Sequence, residues 1–412
     1  MSERSLEVAD VFRQYGPQYV QEFGPSLCTQ QKRVLRAIAL CRTASLGGHV
    51  ERCDGCGHRR ISYNSCRNRH CPKCQAAARA EWMEARAEEL LPVPYFHVVF
   101  TLPNTLAPIA LQNKRVVYGV LFRAVAETLK DVAAAPKHLG AEIGFLAVLH
   151  TWGQNLMHHP HIHCVVPAGG ISRDGQRWLS CKDDFFLPVR VLSRVFRGKF
   201  ISFLKHAFQQ GQLRFFGRLE CCAEAAQFEQ LLDAAVQREW VVYAKRPFGG
   251  PTQVLKYLAR YTHRVAISNK RLLDLRDGQV HFQYKDYADG NRTKAMSVDA
   301  LEFIRRFLMH VLPLGFVRIR HYGFLGNRHR NAKLELCRRL LGVESGPAAT
   351  TAGEPSETDH CDAEHDKSMI CPACGNGRML IIETFRPETK AASVRRPFFM
   401  QQSTCCAKPD TS

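Results

Sequence analysis

The sequence has no apolar run approaching the ~18–20 residues that a membrane-crossing helix requires, so no membrane partner is expected. Its opening residues, Met1-Ser2-Glu3-Arg4, lack the basic-then-apolar pattern of a secretory leader, which points to the cytoplasm. Negative charge is scarce: 38 Asp and Glu stand against 57 Lys and Arg, leaving +19 and an isoelectric point near 9.4. A surplus of that size fits a polyanionic partner, nucleic acid before an acidic membrane surface. Tandem repeats are also missing. The remaining composition is ordinary, with 45% hydrophobic and 23% charged residues in a chain of 412. That balance excludes a fibrous or wholly disordered protein, and the length suggests two to four domains at ~150 residues each.

Cysteine is the exception, with 17 in all. Disulfides rarely persist in the cytoplasm, and an odd number cannot all pair, so metal is the first explanation. The segment from His49 to Gln75 concentrates them as Cys53-x2-Cys56-x9-Cys66-x3-His70-Cys71-x2-Cys74. One CxxC is expected by chance at this cysteine content, roughly, but two within so short a stretch are not. Zinc takes four tetrahedral Cys or His ligands and each CxxC turn offers two thiolates, so Cys53, Cys56, Cys71 and Cys74 are expected to hold one structural zinc. Cys66 and His70 are further ligands that could hold a second ion with His49 or His58. Arg67, Arg69 and Lys73 lie between these ligands, where basic side chains suit DNA phosphates. Far downstream, Cys371 and Cys374 form another knuckle-like pair, for which Cys361, His360 or His365 are candidate partners.

The pattern of elements is α+β. Residues 5–45 have helical spacing, and 76–91 are rich in alanine and glutamate. Tyr95–Leu102 reads as a buried strand and 105–135 as helix. Two strand-like runs follow, Ile143–Trp152 and His161–Pro167. Helices are expected near 187–210, 222–238, 252–262 and 299–312. Strands are expected at Val241–Ala244, Val265–Ser268, Leu272–Leu275 and Val280–Tyr284. Gly346 to Thr358 reads as a disordered linker. The domains expected are 1–91, helical with a zinc module at about 49–75; 92–345, catalytic with a basic C-terminal part; and 346–412, linker and tail.

Side chains two apart on a strand share a face, so His161 and His163 project together. A symmetric hairpin through the intervening turn sets His150 opposite His163, giving three imidazoles on one face with open coordination positions. That arrangement suits a catalytic divalent ion, Mg²⁺ or Mn²⁺. Gln154 and His159 are alternative third ligands. Tyr257 and Tyr261, four apart, share a helix face. Tyrosines at that spacing are usually core residues, but Lys256, Arg260, His263 and Arg264 beside them suit a phosphodiester.

Taken together, HPHIHCVVPAGG at 159–170 and GGPTQVLKYLARYTHRVAISNKRL at 249–272 resemble the rolling-circle transposases of the insertion sequence 91 family. YNSCRNRHCPKCQ at 63–75, LHTWGQNL at 149–156, FQYKDYADG at 282–290 and EFIRRFLMHVLPLGFVRIRHYGFLGNR at 302–328 carry the same likeness, which covers roughly 30–345. The resemblance implies a small helical zinc-binding domain ahead of an antiparallel-sheet HUH nuclease domain flanked by helices. HUH denotes two histidines around a hydrophobic residue. It implies His161 and His163 as metal ligands and Tyr257 and Tyr261 as nucleophiles, the two-tyrosine form. Related relaxases take a third histidine from the upstream strand, which agrees with His150.

The activity so implied is cleavage and rejoining of single-stranded or hairpin DNA at element ends and target through a 5′-phosphotyrosine. The enzyme would be cytoplasmic and nucleoid-associated when bound. Phe316–Lys333 supplies five Arg and Lys with no acid, among them Arg318, Arg320, Arg328 and Arg330, suited to phosphate contact and stacking. A relaxase or rolling-circle replication initiator would use the same chemistry. A zinc-dependent DNA-binding regulator without catalysis is the alternative of another class. Three-carboxylate chemistry is disfavoured, because nothing marks an acidic triad.

Overall fold

The computed structural model describes residues 5–76, 89–182, 185–248, 265–287, 289–343 and 370–387. Helices α1 (Val8–Phe23) and α2 (Thr29–Leu40) open the chain, and a hairpin follows, β1 (Gly48–Cys53) and β2 (Arg59–Tyr63). Next come β3 (Tyr95–Thr101), α3 (Ala107–Gln112), α4 (Lys114–Ala134), β4 (Ala141–Glu142), β5 (Gly144–Trp152) and β6 (His158–Pro167). They are followed by β7 (Gly169–Ser172), β8 (Trp178–Ser180), α5 (Val189–Gln209), α6 (Ala225–Val236) and β9 (Val242–Phe248). The last elements are β10 (Leu272–Arg276), β11 (Gln279–Asp286), β12 (Arg292–Asp299), α7 (Ala300–Met309), β13 (Ile319–Gly323), α8 (Arg330–Leu340) and β14 (Met379–Phe385). The chain divides into a large unit, residues 1–39 with 66–359, and a small one, 40–65 with 360–412.

The large unit is built on a five-stranded antiparallel sheet in the order β13-β5-β6-β3-β9. Alternation decides which side is which. Phe96, Val98 and Phe100 of β3, Phe145, Ala147 and Leu149 of β5, and Ile162, Cys164 and Val166 of β6 all belong to the main core. They share it with Tyr118, Phe122 and Leu129 of α4, Phe196, Phe200 and Leu204 of α5, and Phe228 and Leu232 of α6. Each fully buried Phe or Leu there contributes about 1.5–3 kcal/mol from leaving water. The intervening residues point to the opposite face, where Tyr95, Leu146, Val148 and Val165 form a smaller apolar cluster and the histidines occupy the remainder.

Several local departures from the sequence expectations have physical causes. The helix expected over 105–135 breaks at Asn113, whose side chain is spent on the backbone of Arg214, accepting from its N–H at 2.7 Å and donating to its carbonyl at 2.8 Å. Val265–Ser268 forms no strand. Strands β12 and β13 escape apolar alternation because their residues are mostly polar and only Val298 among them is buried. Helix α7 starts where expected, capped by Asp299 Oδ1, which accepts from the N–H groups of Leu301 and Glu302. The helix expected at 252–262, most of that at 76–91 and the linker at 346–358 lie outside the described residues.

In the small unit, a three-stranded sheet in the order β14-β1-β2 joins segments from the two ends of the chain. Burial works against charge on the Glu51 carboxylate, but hydrogen bonds from Arg60 at 2.7 Å and Ser62 at 3.0 Å outweigh it and hold its pKa below the ordinary value.

Candidate active site and thiol clusters

The β5–β6 hairpin sets His150 opposite His161 and Val148 opposite His163, with an irregularity before the pair Trp152–His158. This corrects the symmetric register, which set His150 opposite His163. The shift is two residues, and because side chains alternate with period two it leaves the same histidines on the same face. Their ring centroids are 4.4 Å (His150–His163), 4.8 Å (His161–His163) and 5.5 Å (His150–His161) apart. One ring nitrogen from each lies within 4.8 Å of the others. Neither alternative third ligand joins them: Gln154 donates to the Tyr287 hydroxyl, and His159 Nδ1 lies 3.4 Å from Asn104 Oδ1.

The surroundings orient these rings. His161 Nδ1 is 2.7 Å from the His159 carbonyl, which can only accept, so Nδ1 carries the proton and Nε2 keeps its lone pair. His163 Nδ1 is 2.8 Å from Nε2 of His97, a residue the sequence reading missed. Burial, then the positive charge of Lys245, pushes His97 down to about 3, so it remains neutral at physiological pH. When His163 donates from Nδ1 to His97, its Nε2 lone pair is left for an ion, the usual division of labour on a ligating imidazole. The signal in the sequence was a lone histidine in the apolar run YFHVVF, on the same strand face as Tyr95.

The hairpin turn is also held. Leu156 is buried with φ of +63°, and His310 Nε2 donates to its carbonyl at 2.9 Å while His310 Nδ1 faces Thr151 Oγ1 at 3.1 Å. The histidines open onto a cleft of about 1060 Å³ whose walls include Trp152, Tyr243, Lys245, Tyr284, Lys285 and Tyr287. Trp152 stacks on His150 at 4.6 Å between centroids. Tyr257 and Tyr261, with Lys256, Arg260 and Arg264, lie outside the described residues.

The cysteines group differently from the expected quartet Cys53, Cys56, Cys71 and Cys74. In the small unit Cys53 and Cys56 meet Cys371 and Cys374. In the large unit Cys71 and Cys74 meet Cys66, with Sγ of Cys66 and Cys74 3.6 Å apart. Spacing alone ranks near neighbours first, whereas pairing of β14 with β1 delivers the distant pair. His70 is not among the thiols: both its nitrogens are used, Nδ1 toward Asn68 Oδ1 at 3.1 Å and Nε2 accepting from Leu312 N–H at 3.2 Å. His49 lies 3.4 Å from Glu51, and Cys361, His360 and His365 fall outside the described residues.

Several basic side chains expected to meet phosphates are engaged inside the protein. Arg69 donates to the carbonyls of Phe316 and Pro313, and Lys73 pairs with Glu7 at 2.8 Å. Arg318 donates to Gln75 Oε1 at 3.0 Å, and burial pushes it down to about 10. Arg330 pairs with Glu89 at 2.9 Å. Arg320 lies over the Phe122 ring at 4.1 Å, and Arg328 is exposed.

Comparison with known proteins shows the family. The model described as "Transposase zinc-binding domain" matches residues 11–102, and that described as "Putative transposase" matches 144–333. "Putative transposase y4qJ" of Sinorhizobium fredii is 59% identical over 387 residues, covering 93% of this chain and 97% of that one. "Transposase for insertion sequence element IS801" of Pseudomonas savastanoi pv. phaseolicola is 29% identical over 309 residues, covering 70% and 68%. Among solved structures, conjugative relaxase TrwC in complex with oriT DNA matches at 19% identity and a TM-score of 0.23, over 40% of this chain and 71% of that one. The protein is a transposase with an N-terminal zinc-binding domain. It belongs to the insertion sequence 91 family.

Proposed function

We propose that this transposase cuts and rejoins single-stranded or hairpin DNA at element ends and target through a 5′-phosphotyrosine intermediate. The observation that carries the reading is the convergence of three imidazoles from two adjacent strands on the floor of one cleft. Three imidazole nitrogen donors on paired strands, open on the cleft side, fit a catalytic ion site. His150, His161 and His163 would hold Mg²⁺ or Mn²⁺, which supplies Lewis-acid polarisation of a non-bridging oxygen of the scissile phosphate.

The chain's own groups do the rest. Lys245 and Lys285 in the cleft walls neutralise the backbone, and the rings of Trp152, Tyr243, Tyr284 and Tyr287 offer stacking surfaces for unpaired bases. Tyr257 or Tyr261 is the nucleophile. A phenol of pKa ~10 needs nearby positive charge to favour phenolate, and Lys256, Arg260 and Arg264 accompany the pair in sequence. The phenolate oxygen attacks phosphorus and the P–O3′ bond breaks. The 3′ oxygen leaves with the electron pair and takes up a proton. Attack by another strand's 3′-hydroxyl reverses the step, so rejoining needs no ATP. The second tyrosine lets one cut end be held while another is made.

The test is incubation of end-labelled single strands from an element terminus with the protein and Mg²⁺, followed by an SDS gel. A denaturation-resistant adduct is expected, mapping to Tyr257 or Tyr261. The Tyr257→Phe/Tyr261→Phe double variant should form none, and full adduct from it would overturn the assignment.

A further inference from the structure

The small unit contains a feature that the matched family models do not reach. The zinc-binding model ends at residue 102 and the transposase model at 333, yet Cys53 and Cys56 share a cluster with Cys371 and Cys374. We infer that these four thiolates hold one structural zinc ion, so that the C-terminal segment completes the N-terminal zinc module.

The geometry is that of a site rather than of four neighbouring thiols. Tetrahedral Zn–S bonds of ~2.3 Å place ligand sulfurs about 3.8 Å apart. Sγ of Cys53 lies 3.8 Å from that of Cys374, and Sγ of Cys56 lies 3.7 Å from that of Cys371. Disulfide sulfurs would be ~2.05 Å apart. The two turns are built alike. In each, the residue after the second cysteine is a glycine in the left-handed region, Gly57 at φ +73° and Gly375 at +72°. The Gly57 N–H donates to the Cys53 carbonyl at 3.1 Å, and the Gly375 N–H to the Cys371 carbonyl at 2.9 Å.

Backbone N–H groups also aim at the sulfurs. Cys56 N lies 3.4 Å from Cys53 Sγ, Ala373 N 3.4 Å from Cys371 Sγ, and Gly377 N 3.3 Å from Cys374 Sγ. Such donors favour thiolate over thiol. Gly377 passes so close that a Cβ there would collide with Cys53 Sγ. Pairing of β1 with β14, continued by hydrogen bonds between Asp54 and Arg378, brings the two turns face to face. Strand pairing positions the knuckles, and the ion would lock segments 315 residues apart in sequence.

Two measurements on the full chain test this, and neither reads DNA cleavage. Zinc per chain should fall by one in Cys53→Ser/Cys56→Ser, by one in Cys371→Ser/Cys374→Ser, and by one in the quadruple variant. Additive loss in the quadruple variant, or no loss in either double, would overturn the shared site. Should a variant not fold, the second measurement stands alone. A protease site is inserted after Gly353, the chain is cut, and size exclusion is run with and without a zinc chelator. The C-terminal fragment should co-elute with the remainder until zinc is removed and then separate. Co-elution indifferent to chelation would refute the inference.

Discussion

The histidine face and the small unit's cysteine cluster are built by opposite routes. His150, His161 and His163 sit on neighbouring strands of one hairpin, above a core that would exist without them. Cys53, Cys56, Cys371 and Cys374 come from the two ends of the chain, and their described apolar cluster is no more than the buried residues Cys53, Cys371 and Met379. In the first case packing makes the site. In the second, the described apolar cluster is small, and the inferred zinc ion would fix the fold, as metals commonly do in small domains. The lesson is that ligand loss should damage chemistry in one region and structure in the other.

The largest expected effect breaks the chemistry alone. His161→Ala should lower covalent adduct formation by roughly 10³-fold, the loss of several kcal/mol of charge stabilisation. Binding of the same DNA and the thermal midpoint should change little. A parallel collapse of stability would erase the contrast. Phe100→Ala, beneath the histidine face, should instead cost about 3–5 kcal/mol in thermal or denaturant unfolding. A loss under 1 kcal/mol would show that the helical core does not support the site.

A smaller effect is expected at the positioning residue. His97→Gln should weaken divalent-ion binding by on the order of 10–100-fold, read by titration, with single-strand affinity unchanged. Affinity equal to that of the parent would remove His97 from the account.

The smallest concerns acid. Burial, then neighbouring positive charge, pushes His158 down to about 3; burial likewise pushes His310 down to about 4. The unfolded chain binds these protons at the ordinary value near 6.5, so stability is complete above that pH and falls as pH drops from 6.5 toward 3–4. Each histidine should account for up to about 2 kcal/mol lost at pH 5. His310→Gln should flatten the dependence of the thermal midpoint between pH 7 and 5, and an unchanged slope would refute it.

These differences also explain what the sequence made readable. His150 shares the face of His161 and His163 despite the register difference, because the face depends only on parity. His97 was missed because its partner His163 lies across a strand pairing that no local pattern announces. The Cys53 and Cys56 assignment failed on partners, since nothing near them in sequence indicates Cys371. Arg318 and Arg330 read as surface cations because composition cannot distinguish a phosphate contact from a guanidinium turned toward Gln75 or Glu89.

The central claim is that the imidazole trio is a metal-ion site. Crystals soaked in Mn²⁺ and measured for anomalous scattering test it most directly. The account predicts one strong peak within coordinating distance of His150, His161 and His163, lost in His161→Ala. A peak elsewhere, or none at saturating Mn²⁺, would contradict it.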